Sequence, residues 1–544
     1  MTDCQTSSPS NIAEWPQVGH QPEAVNCSVD VDDKPNVHHD AAIEVPSKLR
    51  DLNDADTHPV REVRGMDNKR FWVRTFDRPC VELYDAEGFI GKWKIRSSSD
   101  IKKQMSKDNQ GEYRIKRPGN AVSRVAYNAV MPEDTGEDRW QADLCTWDTI
   151  KSLVDNQQLK EEDGRTFWQA WYEARKAGGL VDKKSTPAEE SGKDDLMMCS
   201  KTTLHGCLAH ALGKAQLQNE EDILPEKFMQ IIRDTFKAVD EDIVQAPLKL
   251  LGPQIVYEPS PLLPSPPPSI LGGPNIVSPG SCALTVIYDA AAERVYIANC
   301  GDCRAVAGWY DEKKKKWRCD VLTEDHNGDN PSERERVCSD HPEDEREDLF
   351  KPNPEMRIFG KLHPTRVFGD HLYKRQYQDW IDFHHFCKQG EPWLTWKKEY
   401  RERRKTPPYA TAEPDVVWRD LKANEGEELK FIILSTDGLW GRMTSEEAFV
   451  LTASTYGDSI MRRSGDMDKQ EFLDKYFPGL EDHSPSHPFP REKMDKSGRW
   501  ALKEEVLPTR LIRNAYGGDD QEERKQIFSI APKIKNMKDD VTTL

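Results

Sequence analysis

The chain has 544 residues, of which 77 are Lys or Arg and 95 are Asp or Glu, so its formal net charge is −18. Hydrophobic residues make up 36% of the sequence, which is enough for a sizeable core and too many for a chain that is disordered throughout. The acidic balance counts against general nucleic-acid binding, because phosphate backbones require a basic protein face.

Neither a membrane span nor a targeting signal is predicted. No stretch approaches 18 consecutive apolar residues. The first Lys or Arg is Lys34, which follows an acidic segment, and this is the opposite of an Arg-rich mitochondrial presequence. The 12 cysteines lie between Cys4 and Cys387 without regular spacing, so we interpret them as reduced thiols.

The first half of the chain divides by composition. Residues 1–60 are polar and acidic, and we predict a disordered N-terminal extension. Residues 61–119 are interpreted as a small extension of unknown role, in which apolar residues between Phe71 and Ile90 indicate short strands. Apolar residues at helical spacing predict helices within 203–251. The Pro-rich stretch 258–279 is predicted to be an exposed connecting loop, and a polyproline ligand for a partner is the alternative.

The second half predicts strands and further helices. Strand-like runs lie at Cys282–Tyr288, Arg294–Ala298, Arg304–Trp309, Trp317–Leu322 and Leu429–Leu434. The third and fourth runs are expected to form a hairpin with the basic stretch Asp311–Lys316 at its tip. A helix is predicted to start near Ser445, which offers a capping residue followed by first-turn acids. Strands and long helices without regular βαβ spacing indicate an α+β protein with antiparallel sheets covered by helices.

Four acidic clusters lie at or near the predicted strand ends, where a strand can hold a carboxylate rigidly. They are Glu137-Asp138, Gly301-Asp302, Thr436-Asp437-Gly438 and Asp539-Asp540. Carboxylates gathered from distant parts of a chain are the ligands that Mg²⁺ or Mn²⁺ requires, so the clusters predict a metal site. The pair Cys300 and Cys303 raises a zinc or redox alternative, but one Cys-x-x-Cys without a second pair is a weak signal.

With their neighbours, these clusters resemble the metal-dependent protein phosphatase 2C family. The matching segments run in family order at Glu137-Asp138-Arg139, Gly280–Ala283, Ala298–Val306, Leu322–Asn327, Pro364–Asp370, Ser435–Trp440 and Lys538–Thr542. Pro407–Pro414 and Leu511–Ala515 are similar to the pyruvate dehydrogenase phosphatase branch of that family. The resemblance covers about residues 120–148 and 203–544.

The resemblance implies a helix–sheet–sheet–helix sandwich of two antiparallel sheets with a metal site at one edge, in a domain spanning residues 120–544 with an insertion at 373–406. It implies two or more Mg²⁺ or Mn²⁺ ions. Asp437 and Asp539 would be direct ligands, Glu137 would hold a metal through water, and Asp302 would belong to a further, weaker site. Arg366 and Asp370 are expected to be structural within their motif.

The implied reaction is hydrolysis of phosphoserine or phosphothreonine by a metal-activated water. The implied partner is a phosphoprotein, with a dehydrogenase complex as one candidate, and neither nucleic acid nor a membrane span is expected. The resembled branch is mitochondrial, whereas the acidic N-terminus argues against import, so a cytoplasmic location is the alternative.

One family motif is missing from the sequence. Asp-Gly-His-Gly-Gly, whose Asp bridges both metals in the family, is expected between Glu137 and the helix near Leu204, and the polar segment 149–202 stands there instead. The Asp-Gly pair within it, Asp163-Gly164, follows no strand pattern and precedes Arg165. Two interpretations stay open. Either an insertion or a mis-spliced segment has replaced the motif in an enzyme, or the chain is a pseudophosphatase with a binding or regulatory role.

Overall fold

The structure is a computed structural model that describes residues 60–64, 70–75, 80–85, 88–106, 110–114, 122, 124–130, 147–158, 195–218, 223–251, 279–350, 356–376, 404–424, 426–456, 468–478, 480, 498–502, 506–530 and 541–544. All of them belong to the unit Asn53–Leu544. The predicted N-terminal extension lies outside the described residues, apart from its last residue. So do Glu137, Asp163, Asp539 and most of the Pro-rich stretch and of the insertion 373–406.

Sixteen strands are found in the described residues, and we number them in chain order. They are β1 Val60–Arg64, β2 Arg70–Thr75, β3 Cys80–Asp85, β4 Gly88–Lys94, β5 Gln110–Arg114, β6 Arg124–Val130, β7 Gly280–Ser281, β8 Ala283–Asp289, β9 Arg294–Cys300, β10 Arg304–Asp311, β11 Lys316–Val321, β12 Phe368–Gly369, β13 Asp415–Asp420, β14 Lys422–Asn424, β15 Glu427–Ser435 and β16 Val541–Thr543.

The helices of the described residues are numbered in the same way. They are α1 Ser98–Ser106, α2 Trp147–Gln158, α3 Asp195–Leu217, α4 Pro225–Leu251, α5 Pro331–Ser339, α6 Glu343–Leu349, α7 His371–Lys374, α8 Asp437–Trp440, α9 Ser445–Ala453, α10 Lys469–Tyr476, α11 Leu507–Ala515 and α12 Gln521–Ser529, with a 3₁₀ turn at Ser454–Tyr456. Among these helices, none combines the length and the apolar character that a membrane span requires.

Two antiparallel sheets form the centre of the fold. The larger one has the strand order β11-β10-β15-β16-β6-β5, with β14 paired to β15, and the smaller one has the order β13-β9-β8. The predicted hairpin is confirmed, because β10 and β11 pair antiparallel from Val306 with Val321 to Asp311 with Lys316. The predicted strand at 429–434 is confirmed as the middle of β15, and the predicted start of α9 at Ser445 is also confirmed.

Alternation along the strands separates three layers of core, because successive side chains of a strand point to opposite faces. One layer lies between the two sheets and includes Val295, Ile297, Ala305, Ala307 and Trp309. The opposite face of β9 packs against α3 and α4 through Tyr296, Ala298 and Cys300. The outer face of the larger sheet packs against α9 and α11 through Val306, Ile433 and Val541. This arrangement is the helix–sheet–sheet–helix sandwich expected from the sequence.

The N-terminal part of the described chain contributes to the same body. Strands β1 to β4 form a four-stranded antiparallel sheet. Its buried residues Phe71, Val73, Val81 and Leu83 pack with Ile530, which follows α12. Strand β5 pairs with β6 and is therefore part of the larger sheet. Along the chain, the domain start expected at residue 120 lies between these two paired strands.

Candidate functional site

One edge of the larger sheet gathers the chain segments that carry the predicted ligands. Asp302 lies just before β10, and Asp437 lies just after β15. These two strand ends meet, because Arg304 of β10 pairs with Ser435 of β15. Strand β16 pairs with β15 at Ser435 and with the end of β6 at Val130, so both of these strands reach the same edge.

Asp302 follows Gly301 in the turn where the chain passes from the smaller sheet to the larger one. Gly301 has a φ of 128°, and a Cβ placed on it would lie 2.3 Å from Cys282 Sγ, so glycine is required there. Its carbonyl oxygen accepts hydrogen bonds from Asn299 Nδ2 and from the backbone N–H of His326, both at 3.0 Å. The Gly301 N–H donates to His326 Nδ1 at 3.4 Å. The turn is therefore held on several sides.

The Asp302 carboxylate is buried and contacts two further side chains. Cys282 Sγ donates to Oδ1 at 3.3 Å, and His363 Nδ1 lies 3.5 Å from Oδ2. The opposite nitrogen of His363, Nε2, lies 3.1 Å from Asp329 Oδ2. Burial alone would lower the pKa of His363, but the two carboxylates raise it to about 10. Burial alone would raise the pKa of Asp302, yet His363 and Cys282 bring it below its ordinary value. A positive imidazolium therefore faces the anionic Asp302.

Sequence reasoning missed both neighbours of Asp302. Cys282 lies inside a motif segment that was recognised, and His363 lies one residue before another, which begins at Pro364. The signal that could have revealed them is their position within or beside the family-like motif segments rather than any local spacing to Asp302.

Asp437 is the first residue of the short helix α8 and lies two residues after the end of β15. Thr436, before it, donates its backbone N–H to the carbonyl oxygen of Thr542 and accepts the N–H of Thr542 on its Oγ1, both at 3.1 Å. At the other end of α8, Trp440 Nε1 donates to the carbonyl oxygen of Ser435 at 2.9 Å. The backbone that carries Asp437 is thus fixed to two strands.

Arg366 and Asp370 make contacts that serve packing. Arg366 Nη2 lies 2.7 Å from Glu333 Oε1, and its Nη1 lies 2.8 Å from Asp415 Oδ1. Asp370 has a φ of 48° and lies against Gly280, where a Cβ would fall 2.0 Å from its Oδ2. Burial raises the pKa of Asp370 to about 7, although Lys374 acts in the opposite direction.

The segment that stands where the missing motif is expected is helical in its described parts. Helix α2 runs to Gln158 and α3 begins at Asp195. A Cβ placed on Gly213 of α3 would lie 2.6 Å from Ile150 Cγ2 and 3.0 Å from Val154 Cγ2. The two helices therefore approach closely at Gly213, where Ile150 and Val154 of α2 lie against α3.

The donor chemistry of this sheet edge fits a hard cation. Asp302 and Asp437 supply carboxylate oxygens, which Mg²⁺ and Mn²⁺ prefer. Within the described residues, no group of three or more His, Cys, Asp or Glu side chains is arranged to hold a metal. Glu137 and Asp539, the other two expected ligands, lie outside those residues. Cys300 and Cys303 are buried free thiols, and burial raises the pKa of Cys300.

Comparison with known proteins bears on the identity of this fold and site. Residues 274–464 match the family model described as "Protein phosphatase 2C". Over these residues the chain is similar to the protein phosphatase 2C family. A protein phosphatase 2C homolog of Schizosaccharomyces pombe is 28% identical over 310 residues, which are 56% of this chain and 61% of that protein.

Two further relatives carry a more specific name. Pyruvate dehydrogenase (acetyl-transferring) phosphatase 1, mitochondrial, of Saccharomyces cerevisiae is 31% identical over 274 residues, covering 48% of this chain and 45% of that protein. Its human namesake is 28% identical over 272 residues, covering 46% and 44%. The chain thus spans about half the length of the curated protein phosphatase 2C relatives that it matches.

Solved structures of similar proteins have low structural overlap with this chain. The serine-threonine phosphatase 2C of Toxoplasma gondii gives a TM-score of 0.31 at 15% identity, covering 64% of this chain and 79% of that one. A sex-determining protein of C. elegans gives a TM-score of 0.32 at 13% identity, covering 65% and 53%.

Proposed function

We propose that the chain is a member of the protein phosphatase 2C family and a metal-dependent phosphatase that hydrolyses phosphoserine or phosphothreonine. The observation that carries the proposal is the shared sheet edge, where the turn bearing Asp302 meets the strand end before Asp437. Strands β6 and β16 reach the same edge. Glu137 follows β6 by seven residues and Asp539 precedes β16 by two, so a short length of chain separates each from that edge.

In this proposal the chain supplies anionic positions on rigid backbone. Asp437 and Asp539 would hold ions directly, Glu137 would act through water, and Asp302 would belong to a further site. Two bound divalent cations would lower the pKa of a shared water and neutralise charge on the phosphoryl oxygens. Contacts from Cys282 and His363 orient the Asp302 carboxylate in advance, which reduces the reorganisation that binding requires.

The proposed substrate is a phosphorylated protein, and our first candidate is a subunit of a dehydrogenase complex. Support for this choice comes from the relatives in yeast and human, whose names state a pyruvate dehydrogenase phosphatase and a mitochondrial location. The same names are the basis on which we propose a mitochondrial location for this chain.

A second candidate function is a non-catalytic binding or regulatory role. It is favoured by one specific observation, the absence of Asp-Gly-His-Gly-Gly from the sequence. Without the bridging carboxylate, less negative charge would offset the mutual repulsion of two closely spaced dications. That repulsion grows as the distance between them falls. Metal binding should therefore be weaker than an intact site would give. If the chain is instead a phosphatase, turnover is expected only at high Mn²⁺ concentration.

Calorimetric titration of the full chain with Mn²⁺, together with hydrolysis of a phosphothreonine peptide, tests the proposal. Asp437→Asn is expected to weaken Mn²⁺ binding and to abolish turnover. Asp420→Asn is the matched control, because Asp420 pairs with Arg294 at the opposite end of β9 from the Asp302 turn. A wild-type chain that binds Mn²⁺ without any turnover would favour the regulatory role, and one that neither binds nor turns over would rule out the phosphatase.

A further inference from the structure

A buried arginine connects the two carboxylate-bearing segments of the proposed metal site. Arg304 is the first residue of β10, two residues after Asp302, and its side chain is 4% exposed. Its Nε donates to Asp325 Oδ1 at 2.9 Å, and its Nη2 donates to Asp325 Oδ2 at 2.6 Å. This bidentate pair fixes the plane of the guanidinium group.

Asp325, the partner of Arg304, belongs to a chain segment that also holds the turn at Gly301 and Asp302. Thr323, two residues before Asp325, accepts the backbone N–H of Ala305 on its Oγ1 at 2.9 Å. His326, one residue after Asp325, contacts both sides of Gly301. The guanidinium group of Arg304 is thus attached to the same segment that fixes the position of Asp302.

The remaining face and edge of the guanidinium group reach the segment around Asp437. Arg304 Nη1 donates to Ser445 Oγ, at the start of α9, at 3.1 Å. Its Cζ lies 5.2 Å from the ring centroid of Trp440, the last residue of the helix that begins with Asp437. One side chain therefore contacts both ends of the loop between α8 and α9 and, through Trp440, the helix whose first residue is Asp437.

We infer that Arg304 is a positioning residue that fixes the turn bearing Asp302 relative to the helix start bearing Asp437. Lysine cannot replace it, because an ammonium group lacks the planar fork that makes a bidentate pair, a third hydrogen bond and a stacked contact at once. The inference deepens the phosphatase proposal and rests on it for its metal-binding consequence. The positional link between the two segments is a property of the protein without metal.

A purely structural role for Arg304 would lower stability without a specific effect on the two segments. Arg318, whose side chain is 45% exposed, offers a control with the same kinds of contact on the same sheet. It makes a bidentate pair with Glu427 at 2.8 and 3.1 Å, and its Cζ lies 5.1 Å from the ring centroid of Trp309. Glu427 is the first residue of β15, at the end of that strand away from Asp437.

The test compares Arg304→Lys, Arg318→Lys and the milder Ser445→Ala in the full chain by hydrogen exchange with mass spectrometry. In Arg304→Lys, peptides covering 299–304 and 435–441 are expected to exchange about tenfold faster, the factor for loss of one hydrogen bond to a charged group. Arg318→Lys should leave both peptides unchanged. Ser445→Ala is the milder change, which keeps the inference testable if Arg304→Lys does not fold, and it should accelerate the second peptide alone. Unchanged exchange of 435–441 in both Arg304→Lys and Ser445→Ala, or equal effects of Arg304→Lys and Arg318→Lys, would overturn the inference.

A second readout is the Mn²⁺ dissociation constant from calorimetry, which should rise about tenfold or more in Arg304→Lys and stay unchanged in Arg318→Lys. Where the wild-type chain binds Mn²⁺, equal affinity in Arg304→Lys would also overturn the inference. Where the wild-type chain binds no Mn²⁺, the phosphatase proposal fails, and hydrogen exchange alone decides whether Arg304 fixes the two segments.

Discussion

Replacing Gly301 with alanine should destabilise the chain strongly, for two separable reasons. A φ of 128° belongs to backbone that L side chains rarely adopt, which costs about 1–2 kcal/mol. The added Cβ would also lie 2.3 Å from Cys282 Sγ and 3.1 Å from Cys282 Cα. Rotation of the Cys282 side chain cannot relieve the second contact, so overpacking adds about 1–3 kcal/mol. The expected loss in the free energy of unfolding is about 2–5 kcal/mol in total.

Gly498 provides the control for this prediction. Its φ is 73°, and a Cβ placed on it meets no atom within 4 Å, so Gly498→Ala should show the conformational cost without the steric one. The double variant Gly301→Ala/Cys282→Ala removes the sulfur and should recover part of the steric cost. Urea denaturation with linear extrapolation measures all of these differences.

The reasoning is refuted if Gly301→Ala loses no more stability than Gly498→Ala. That result would show that Cys282 does not confine the turn that carries Asp302. Failure of the double variant to recover any stability would show that the sulfur adds nothing to the steric cost, which would then come from Cys282 Cβ and Cα alone.

Three further predictions concern buried charges. Burial raises the pKa of Asp370 to about 7, so the folded carboxyl binds a proton more tightly than the unfolded one, and stability is lost as the pH rises from about 4 to 7. Asp370→Asn should therefore raise the Tm at about pH 8 but not at about pH 4. Equal shifts of Tm at both pH values would contradict this. Lys374 Nζ lies 2.6 Å from both carboxylate oxygens of the buried Asp240. Lys374→Met should therefore lower the free energy of unfolding, measured by urea denaturation, by about 3–5 kcal/mol, and Asp240→Leu/Lys374→Met should recover most of that loss. A double variant as unstable as the single one would refute the pairing. Burial alone would raise the pKa of Glu333, but Arg336 and Arg366 hold it well below its ordinary value. Glu333→Gln should therefore be less stable than wild type at neutral pH, and this difference should shrink as the pH falls below about 4. A difference in Tm that stays constant with pH would argue against it.

Local patterns in the sequence were sufficient for the central strands and helices. The hairpin of β10 and β11 has apolar runs on both sides of a charged turn, and both strands pair over most of their length. Strand β5, in contrast, was not predicted. Residues Gln110–Arg114 lack an alternating apolar pattern. The reason is that β5 is the last strand on the described path of the larger sheet and buries little surface. A strand of this kind is specified by its partner β6 rather than by its own composition.

The candidate site, like the fold, was predicted from the sequence only in part. Asp302 and Asp437 were predicted because each follows an apolar strand or precedes one within a few residues. Their supporting contacts were not predicted, since Cys282 and His363 meet Asp302 through pairing of segments that are far apart along the chain. The capping residue of α9 shows the same limit at short range, because Thr444, and not Ser445, forms the capping box with Glu447. Which of two adjacent residues caps the helix depends on their backbone angles.

Release of phosphate from a phosphothreonine peptide by the full chain, measured over a range of Mn²⁺ concentrations, bears most directly on the proposed function. The phosphatase proposal predicts turnover that requires Mn²⁺, that needs high concentrations of it, and that Asp437→Asn abolishes while Asp420→Asn does not. Absence of turnover in the wild-type chain at every Mn²⁺ concentration, or turnover that survives Asp437→Asn, would contradict it.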